Sequence, residues 1–170
     1  MAKNRCVFLD RDGVLNKDYV DYVYSEEKLI ILPGVSKALS KLKEMGYLLI
    51  VITNQSGIAQ GIYSEKDMHN VHALMQKYWG NLIEEFYFAP GHPTVSESLS
   101  RKPGSLMFER AIAKYNIDVS RSWMIGDKDR DLIPAKKMKL KTIQVDHDDS
   151  THADYKVKDL TEAVDQIVMK

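Results

Sequence analysis

The stretch that decides the fold is CVFLDRDGVLN, residues 6–16. Its four consecutive apolar residues, Cys6 to Leu9, predict a strand that is buried on both faces. The strand ends at Asp10, and a second carboxylate, Asp12, follows two residues later, directly before Gly13. Side chains two apart in an extended backbone point the same way, so we expect both carboxylates to address one ligand beyond the strand end.

The composition is typical of one ordinary globular domain. The chain has 170 residues, 44% of them hydrophobic, with 24 basic and 24 acidic residues. This balance gives no reason to expect a nucleic-acid or membrane partner. One cysteine cannot form an internal disulfide, and the first residues lack the apolar segment of a secretory signal. We therefore expect a single domain over residues 1–170, cytoplasmic, and a monomer or weak homo-oligomer.

Apolar runs alternate with helical patterns along the whole chain. Buried strands separated by helices are typical of an α/β fold, in which helices cover both faces of a parallel sheet in three Rossmann-like layers. In this architecture the ligand lies beyond the carboxyl ends of the strands. The patterns predict strands at 5–10, 47–54, 84–89, 122–127 and 140–146, and helices at 33–46, 64–78, 106–116, 132–139 and 159–169.

Polar side chains stand at the ends of these predicted strands. Taken singly, each such residue is most often a turn residue or a helix cap, and Asp-x-Asp-Gly is compatible with an exposed turn. Their joint occurrence, in order along the chain, favours a functional site at one edge of the sheet. The residues are Asp10, Thr53 and Asn54, Asp127 and Asp146, with Arg101 and Lys102 before a helix.

These residue types favour phosphoryl transfer to an aspartate. One carboxylate attacks phosphorus to give an aspartyl phosphate, and a second protonates the leaving alcohol and then activates water. A phosphate dianion repels an anionic nucleophile, so a divalent cation is needed, and carboxylate and carbonyl oxygens suit Mg²⁺. We expect the Thr53 hydroxyl and the Lys102 ammonium to hold the phosphoryl oxygens.

Four motifs resemble, in order, the signature motifs of the haloacid dehalogenase (HAD) superfamily: DRDG at 10–13, TNQSGIA at 53–59, RKPG at 101–104 and GDKDRD at 126–131. Within it, the chain is most similar to the D-glycero-D-manno-heptose-1,7-bisphosphate 7-phosphatases. The resemblance implies a Mg²⁺-dependent phosphatase acting on a small phosphorylated sugar, with heptose bisphosphate favoured and histidinol phosphate or another sugar phosphate as the alternative.

The resemblance also implies roles for individual residues. Asp10 is the nucleophile and Asp12 the general acid and base. Asp127 holds Mg²⁺ together with Asp10 and the backbone carbonyl of Asp12. The remaining implied roles are phosphate binding by Thr53, Asn54 and Lys102, substrate binding by Gln55, Ser56, Arg101 and Lys128, and support of Lys102 or a metal-bound water by Asp131.

The sequence departs from the family pattern at two places. Many relatives carry a zinc loop with a Cys-x-His and a Cys-x-Cys pair. His92 remains beside that position, but one imidazole without thiolates does not make a tetrahedral zinc site, so no zinc is predicted. Gln60 stands where many relatives carry an arginine, which removes a candidate anion contact. The four zinc-ligand positions are occupied by Ala89, Gly91, Ser98 and Ser100.

Residues 14–32 are too few to form a cap domain, so we expect a capless enzyme whose specificity depends on this flap and on the loop at 89–101. The tyrosine-rich tract at 17–24 either lines the cleft or packs on the sheet edge. We interpret His69 and His72 as surface or half-buried helix residues, and the HDDSTHAD run at 147–154 as a solvated connection.

A phospho-acceptor signalling module, similar to a response-regulator receiver, is the alternative from another class. Receivers also use an aspartate, a threonine and a lysine on a parallel sheet. Their acceptor follows the third strand, however, and has no second carboxylate two residues later. The Asp10 and Asp12 pair therefore favours turnover over a stored phosphoryl group.

Overall fold

The structure, a computed structural model, describes residues 3–146 and 150–170. Within these ranges the helices are α1 (Val35–Glu44), α2 (Glu65–Tyr78), α3 (Leu106–Tyr115), α4 (Asp129–Lys137) and α5 (Leu160–Val168). The strands are β1 (Cys6–Leu9), β2 (Leu48–Asn54), β3 (Glu85–Ala89), β4 (Trp123–Gly126), β5 (Lys141–Val145) and β6 (Tyr155–Val157).

The strands form one parallel sheet in the order β3-β2-β1-β4-β5-β6. β1 is central because all four of its residues are apolar, and it pairs through Val7 with Leu49 of β2 and Trp123 of β4. Along the chain, β2 and β3 are added on one side of β1, and the chain then crosses back to add β4, β5 and β6 on the other side. Such a reversal opens a crevice at the carboxyl ends of the two strands, here β1 and β4.

The alternation of side chains along β1 divides the core into two layers. Leu9 belongs to the layer covered by α1, α2 and α5, whereas Phe8 belongs to the layer covered by α3 and α4. Phe8 meets Phe108 of α3 edge to face, with ring centroids 5.3 Å apart. The three-layer prediction is therefore confirmed. Cys6, predicted to lie in a buried strand, is buried, and so are Trp79 and Trp123.

The described chain has no cap domain. The segment between β1 and α1 contains a single 3-10 turn, Glu26–Lys28, and no element lies between β3 and α3. Among the helices of the described residues, none has both the length and the apolar composition needed to cross a bilayer.

Four details of the sequence interpretation need correction. α4 begins at Asp129 rather than at 132, because the Asp131 carboxylate accepts a hydrogen bond from the Lys128 backbone amide (3.2 Å) and closes the first turn. β6 was not predicted. His72 is buried, because its ring stacks on Phe86 at 4.3 Å.

The HDDSTHAD run, predicted to be a solvated connection, has residues 147–149 outside the described part of the chain. Ser150 is buried rather than solvated. Asp154 accepts a hydrogen bond from the backbone amide of Thr142 in β5 at 2.9 Å and also pairs with Lys136. The described part of this connection is thus tied to the sheet.

Candidate active site

Three carboxylates and one lysine meet at the carboxyl ends of β1 and β4. Asp10, Asp127 and Asp131 each bring a carboxylate oxygen within 4.8 Å of the others. Lys102 Nζ lies 2.8 Å from Asp10 Oδ1 and 2.6 Å from Asp131 Oδ1, and it donates to the carbonyl of Ile52 at 2.7 Å. Because of this short distance, Asp131 is a direct partner of Lys102, and both residues are buried.

The excess of negative charge in this cluster alters the proton affinity of its members. Burial raises the pKa of Asp10 to about 7, and repulsion by Asp131 and Asp127 acts in the same direction against the attraction of Lys102. Burial and Asp131 also raise the pKa of Asp127 to about 6. A cation placed between these carboxylates relieves the repulsion and favours their ionised forms.

The cluster has room and free ligand atoms for such a cation. Asp127 Oδ1 is buried and has no hydrogen-bond partner, while Oδ2 lies 3.2 Å from Lys128 Nζ. Gly13 has a φ of +89°, and a Cβ atom on it would lie 2.6 Å from Asp127 Oδ2. Carboxylate oxygens are the ligands that Mg²⁺ prefers, so the residues present fit this ion.

The carboxylate of Asp12 is held from three sides. Oδ1 accepts hydrogen bonds from Arg11 Nη2 and Asn16 Nδ2, each at 2.9 Å, and Oδ2 accepts one from Gln55 Nε2 at 3.1 Å. Arg11 is almost completely buried, and its guanidinium also contacts His72 Nε2 at 3.3 Å. Sequence reasoning missed Arg11 and Asn16, although both stand in the opening motif.

Thr53, a predicted phosphate ligand, is buried at the end of β2. Its neighbour Gln55, predicted to bind substrate, is also buried and lies behind the cleft. Gln55 donates to Thr53 Oγ1 at 2.9 Å and accepts from the Tyr63 hydroxyl at 2.7 Å. The structure therefore brings Gln55 to Thr53 and Asp12 rather than to the open cleft.

Asn54 is bound to the backbone of Lys102. Its Oδ1 accepts from the Lys102 amide at 2.9 Å, and its Nδ2 donates to the Lys102 carbonyl at 3.1 Å. This pair of hydrogen bonds connects the end of β2 to the loop before α3. It thereby fixes where the Lys102 side chain enters the site.

A cleft of about 300 Å³ lies beside Asp12 and is walled by the flap and by the loop at 89–101. Tyr22 of the flap lines it, and its hydroxyl lies 3.4 Å from Ser56 Oγ and accepts from Gln60 Nε2 at 2.7 Å. The tyrosine-rich tract thus contributes to the wall. The cationic side chains that line the same cleft are Arg101, Lys128 and Arg130.

The loop that replaces the zinc loop of many relatives is closed by hydroxyl groups. Ser98 Oγ and Ser100 Oγ lie 2.7 Å apart, and His92 Nδ1 lies 2.7 Å from Thr94 Oγ1. Arg101, which follows directly, donates to the Gly91 carbonyl at 3.1 Å. That this loop binds no zinc stays a prediction.

Comparison with known proteins agrees with this architecture. Residues 99–168 match the family model described as HAD-hydrolase-like. Among solved structures, the magnesium and phosphate complex of a D,D-heptose 1,7-bisphosphate phosphatase from B. bronchiseptica has a TM-score of 0.89. It is 24% identical in sequence, and the match covers 97% of this chain and 98% of that one. This likeness confirms the fold.

Curated relatives share more of the sequence. The D-glycero-beta-D-manno-heptose-1,7-bisphosphate 7-phosphatase of Haemophilus ducreyi is 39% identical over 81% of this chain and 80% of its own length. The D-glycero-alpha-D-manno-heptose-1,7-bisphosphate 7-phosphatase of Burkholderia mallei is 40% identical over 76% and 73%. The chain therefore belongs to the HAD-like hydrolases, in the family of the D-glycero-D-manno-heptose-1,7-bisphosphate 7-phosphatases.

Proposed function

We propose that the protein hydrolyses the 7-phosphate of D-glycero-D-manno-heptose 1,7-bisphosphate, with Mg²⁺ as its cofactor. The observation that carries the reaction type is the buried cluster of Asp10, Asp127 and Asp131, in which Asp10 and Asp131 pair with Lys102. Similarity to the heptose bisphosphate phosphatases supports the choice of sugar. In this proposal residues 1–170 act as one cytoplasmic domain, as a monomer or weak homo-oligomer.

Asp10 is the nucleophile in this proposal. Its Oδ1 accepts hydrogen bonds from Lys102 Nζ and from the Arg11 amide, each at 2.8 Å. Because both donors bind Oδ1, we assign the attack on phosphorus to Oδ2. Asp10, Asp127 and the Asp12 carbonyl would hold Mg²⁺, which would supply the positive charge that lets an anionic carboxylate approach a phosphate dianion.

Asp12 moves the protons. As Asp10 Oδ2 bonds to phosphorus, the bond between phosphorus and the sugar oxygen breaks, and protonated Asp12 gives its proton to the leaving oxygen. Ionised Asp12 then takes a proton from a water that attacks the aspartyl phosphate, which releases phosphate and restores Asp10. Arg11, Asn16 and Gln55 act as positioning residues, since each donates a hydrogen bond to the Asp12 carboxylate.

The phosphoryl oxygens are bound by Lys102 Nζ and by the Thr53 hydroxyl, which Gln55 orients at 2.9 Å. Asn54 supports this contact indirectly, because it holds the Lys102 backbone. Lys102 reaches both Asp10 and Asp131, so Asp131 keeps the ammonium in place after Asp10 has been phosphorylated.

The test is phosphate release from the heptose bisphosphate with Mg²⁺ and with EDTA. We expect Asp10→Asn and Asp12→Asn each to lower kcat by about 100-fold or more, since general acid–base catalysis alone contributes about 10²–10⁴. Asp165→Asn, on the exposed face of α5, is the matched control and should retain full activity.

Each contrary outcome rejects a different part of the proposal. Undiminished turnover by both active-site variants would exclude the assigned roles. A wild-type kcat/KM no higher for heptose bisphosphate than for histidinol phosphate or a generic ester would exclude the sugar. Stoichiometric phosphorylation of the protein without turnover would favour the receiver-like alternative.

A further inference from the structure

The buried side chain of Tyr63, just before α2, has no part in the proton transfers proposed above. Its hydroxyl donates a hydrogen bond to Gln55 Oε1 at 2.7 Å. Burial raises the pKa of this hydroxyl above its ordinary value, so the hydroxyl keeps the proton that it donates. Tyr63 is thus a fixed donor to one end of the Gln55 amide.

The Gln55 amide carries this direction of hydrogen bonding to two residues of the site. Because Tyr63 holds Oε1, Nε2 faces the other way and donates to Thr53 Oγ1 at 2.9 Å and to Asp12 Oδ2 at 3.1 Å. A hydroxyl has a single proton to donate. Since Thr53 Oγ1 accepts from Gln55, its own proton remains available for a phosphoryl oxygen.

The proton that Asp12 carries as an acid is best placed on the oxygen that Gln55 faces. The two contacts at 2.9 Å, from Arg11 Nη2 and Asn16 Nδ2, are both to Oδ1. Arg11 Nε lies 3.2 Å from each of the two oxygens and does not distinguish between them. Oδ2 therefore has the weaker set of donors and is the oxygen that a proton would occupy.

The opposite orientation of the Gln55 amide would withdraw both protons from the substrate. A carbonyl oxygen in the place of Nε2 would accept the Thr53 proton and, in the acid form, the Asp12 proton. Repulsion between two oxygens opposes this orientation only while Asp12 is ionised. In the acid form it is opposed by Tyr63, whose buried proton would lose its acceptor if the amide nitrogen faced it.

The Tyr63 ring is held in place independently of its hydroxyl. Tyr24 of the flap stacks on it, with ring centroids 5.3 Å apart and an interplanar angle of 11°, and Tyr22 packs against it at 5.6 Å. A Cβ atom on Gly57 would lie 2.2 Å from a ring carbon of Tyr63, so the ring fills the space beside this backbone. Replacement by phenylalanine therefore removes the hydroxyl and keeps the packing.

We propose that Tyr63 is a positioning residue for the acid step, because its hydroxyl fixes the Gln55 amide in the orientation that leaves the Thr53 and Asp12 protons to the substrate. The proposal rests on the proposed function, since it takes Asp12 as the acid and Thr53 as a phosphate ligand. It deepens that function by naming the group that sets the direction of hydrogen bonding. Tyr63 itself acts only through Gln55.

The experiment compares the wild type, Tyr63→Phe and Tyr78→Phe on phenyl phosphate and p-nitrophenyl phosphate with Mg²⁺. The two esters are similar in size, but phenolate is the poorer leaving group and depends more on the proton of Asp12. For Tyr63→Phe, we expect kcat/KM for phenyl phosphate to fall about 3- to 10-fold, because one hydrogen bond is lost. The fall for p-nitrophenyl phosphate should be about twofold at most.

Tyr78 is the matched control, since it is an exposed tyrosine of α2 and its replacement also removes one hydroxyl. Tyr78→Phe should leave kcat/KM unchanged for both esters. A second comparison tests the path through the amide. In a Gln55→Ala background, Tyr63→Phe should have no further effect, because the group through which Tyr63 acts is gone.

Three results would overturn the inference: equal losses for the two esters, an unchanged kcat/KM in Tyr63→Phe, and an undiminished effect of Tyr63→Phe in Gln55→Ala. If the wild type releases phosphate from neither ester nor the heptose bisphosphate with Mg²⁺, the proposed function fails and this inference with it. If the wild type hydrolyses all three and Tyr63→Phe behaves as Tyr78→Phe does, the inference alone fails.

Discussion

The crowded carboxylates predict that the metal-free protein becomes less stable as the pH rises. Burial and neighbouring charges raise the pKa of Asp10 from its ordinary 3.8 to about 7. Between these two values the folded chain binds a proton that the unfolded chain has lost, so the free energy of unfolding decreases with pH. At about 1.4 kcal/mol per pH unit, the total loss from this group is about 4 kcal/mol.

The Asp10→Asn variant isolates this effect, because an amide cannot ionise. His72 gives a change of opposite sign, since burial lowers its pKa to about 2 and its folded form stays neutral where the unfolded form takes a proton. Comparing the two proteins at each pH cancels that contribution. We expect the wild type to lose about 3 kcal/mol relative to Asp10→Asn between about pH 5 and about pH 8 in EDTA, measured by urea denaturation.

Mg²⁺ should reverse the loss. Binding requires ionised carboxylates, so the stabilisation that saturating MgCl₂ gives to the wild type should be larger at about pH 8 than at about pH 5. In Asp10→Asn, this increment should be smaller at both values. Two results would refute the electrostatic reasoning. One is a difference in the free energy of unfolding between the wild type and Asp10→Asn that stays constant with pH. The other is a stabilisation of the wild type by Mg²⁺ that is equal at about pH 5 and about pH 8.

Two further predictions concern the supports of the site. In Gly13→Ala the added Cβ atom would lie 2.6 Å from Asp127 Oδ2. The Mg²⁺ concentration for half-maximal activity should therefore rise about tenfold or more. Gly80 also has a positive φ but open space around it, so Gly80→Ala should leave this concentration unchanged. Asn54→Ala removes both hydrogen bonds to the Lys102 backbone. We expect a loss of about 1–3 kcal/mol in denaturation together with a lower kcat, and unchanged values of both would contradict the role of Asn54.

That Asp10 and Asp127 lie at one site could be predicted from the sequence, because their proximity depends on strand pairing. Asp10 and Asp127 directly follow β1 and β4, whose apolar runs pair in register with Leu9 opposite Ile125. Burial on both faces was enough to identify these strands, and a parallel sheet brings their carboxyl ends together. The family assigned from four motifs is confirmed by the relatives, and with it the hydrolase interpretation rather than the receiver alternative.

What the sequence did not reveal depends on contacts between distant segments. His72 lies on an amphipathic helix at a position that is compatible with solvent, and its burial follows from Arg11 and Phe86. Gln55 stands in a motif that resembles a substrate-binding loop, but Tyr63 and Asp12 hold it inside. β6 has three residues of mixed polarity, too few to give a period, and it forms by pairing with the edge of β5.

The pairing of β1 with β4 also has a consequence for folding. Asp10 and Asp127 are far apart along the chain, so their oxygens meet only after two distant strands have joined, a step that loop-closure entropy makes slow. Repulsion between the like charges would then act at the end of assembly rather than at its start. We expect an ion that both carboxylates bind to stabilise the native state but not the transition state for folding. Such an ion would lengthen the lifetime of the folded enzyme against unfolding without accelerating its formation.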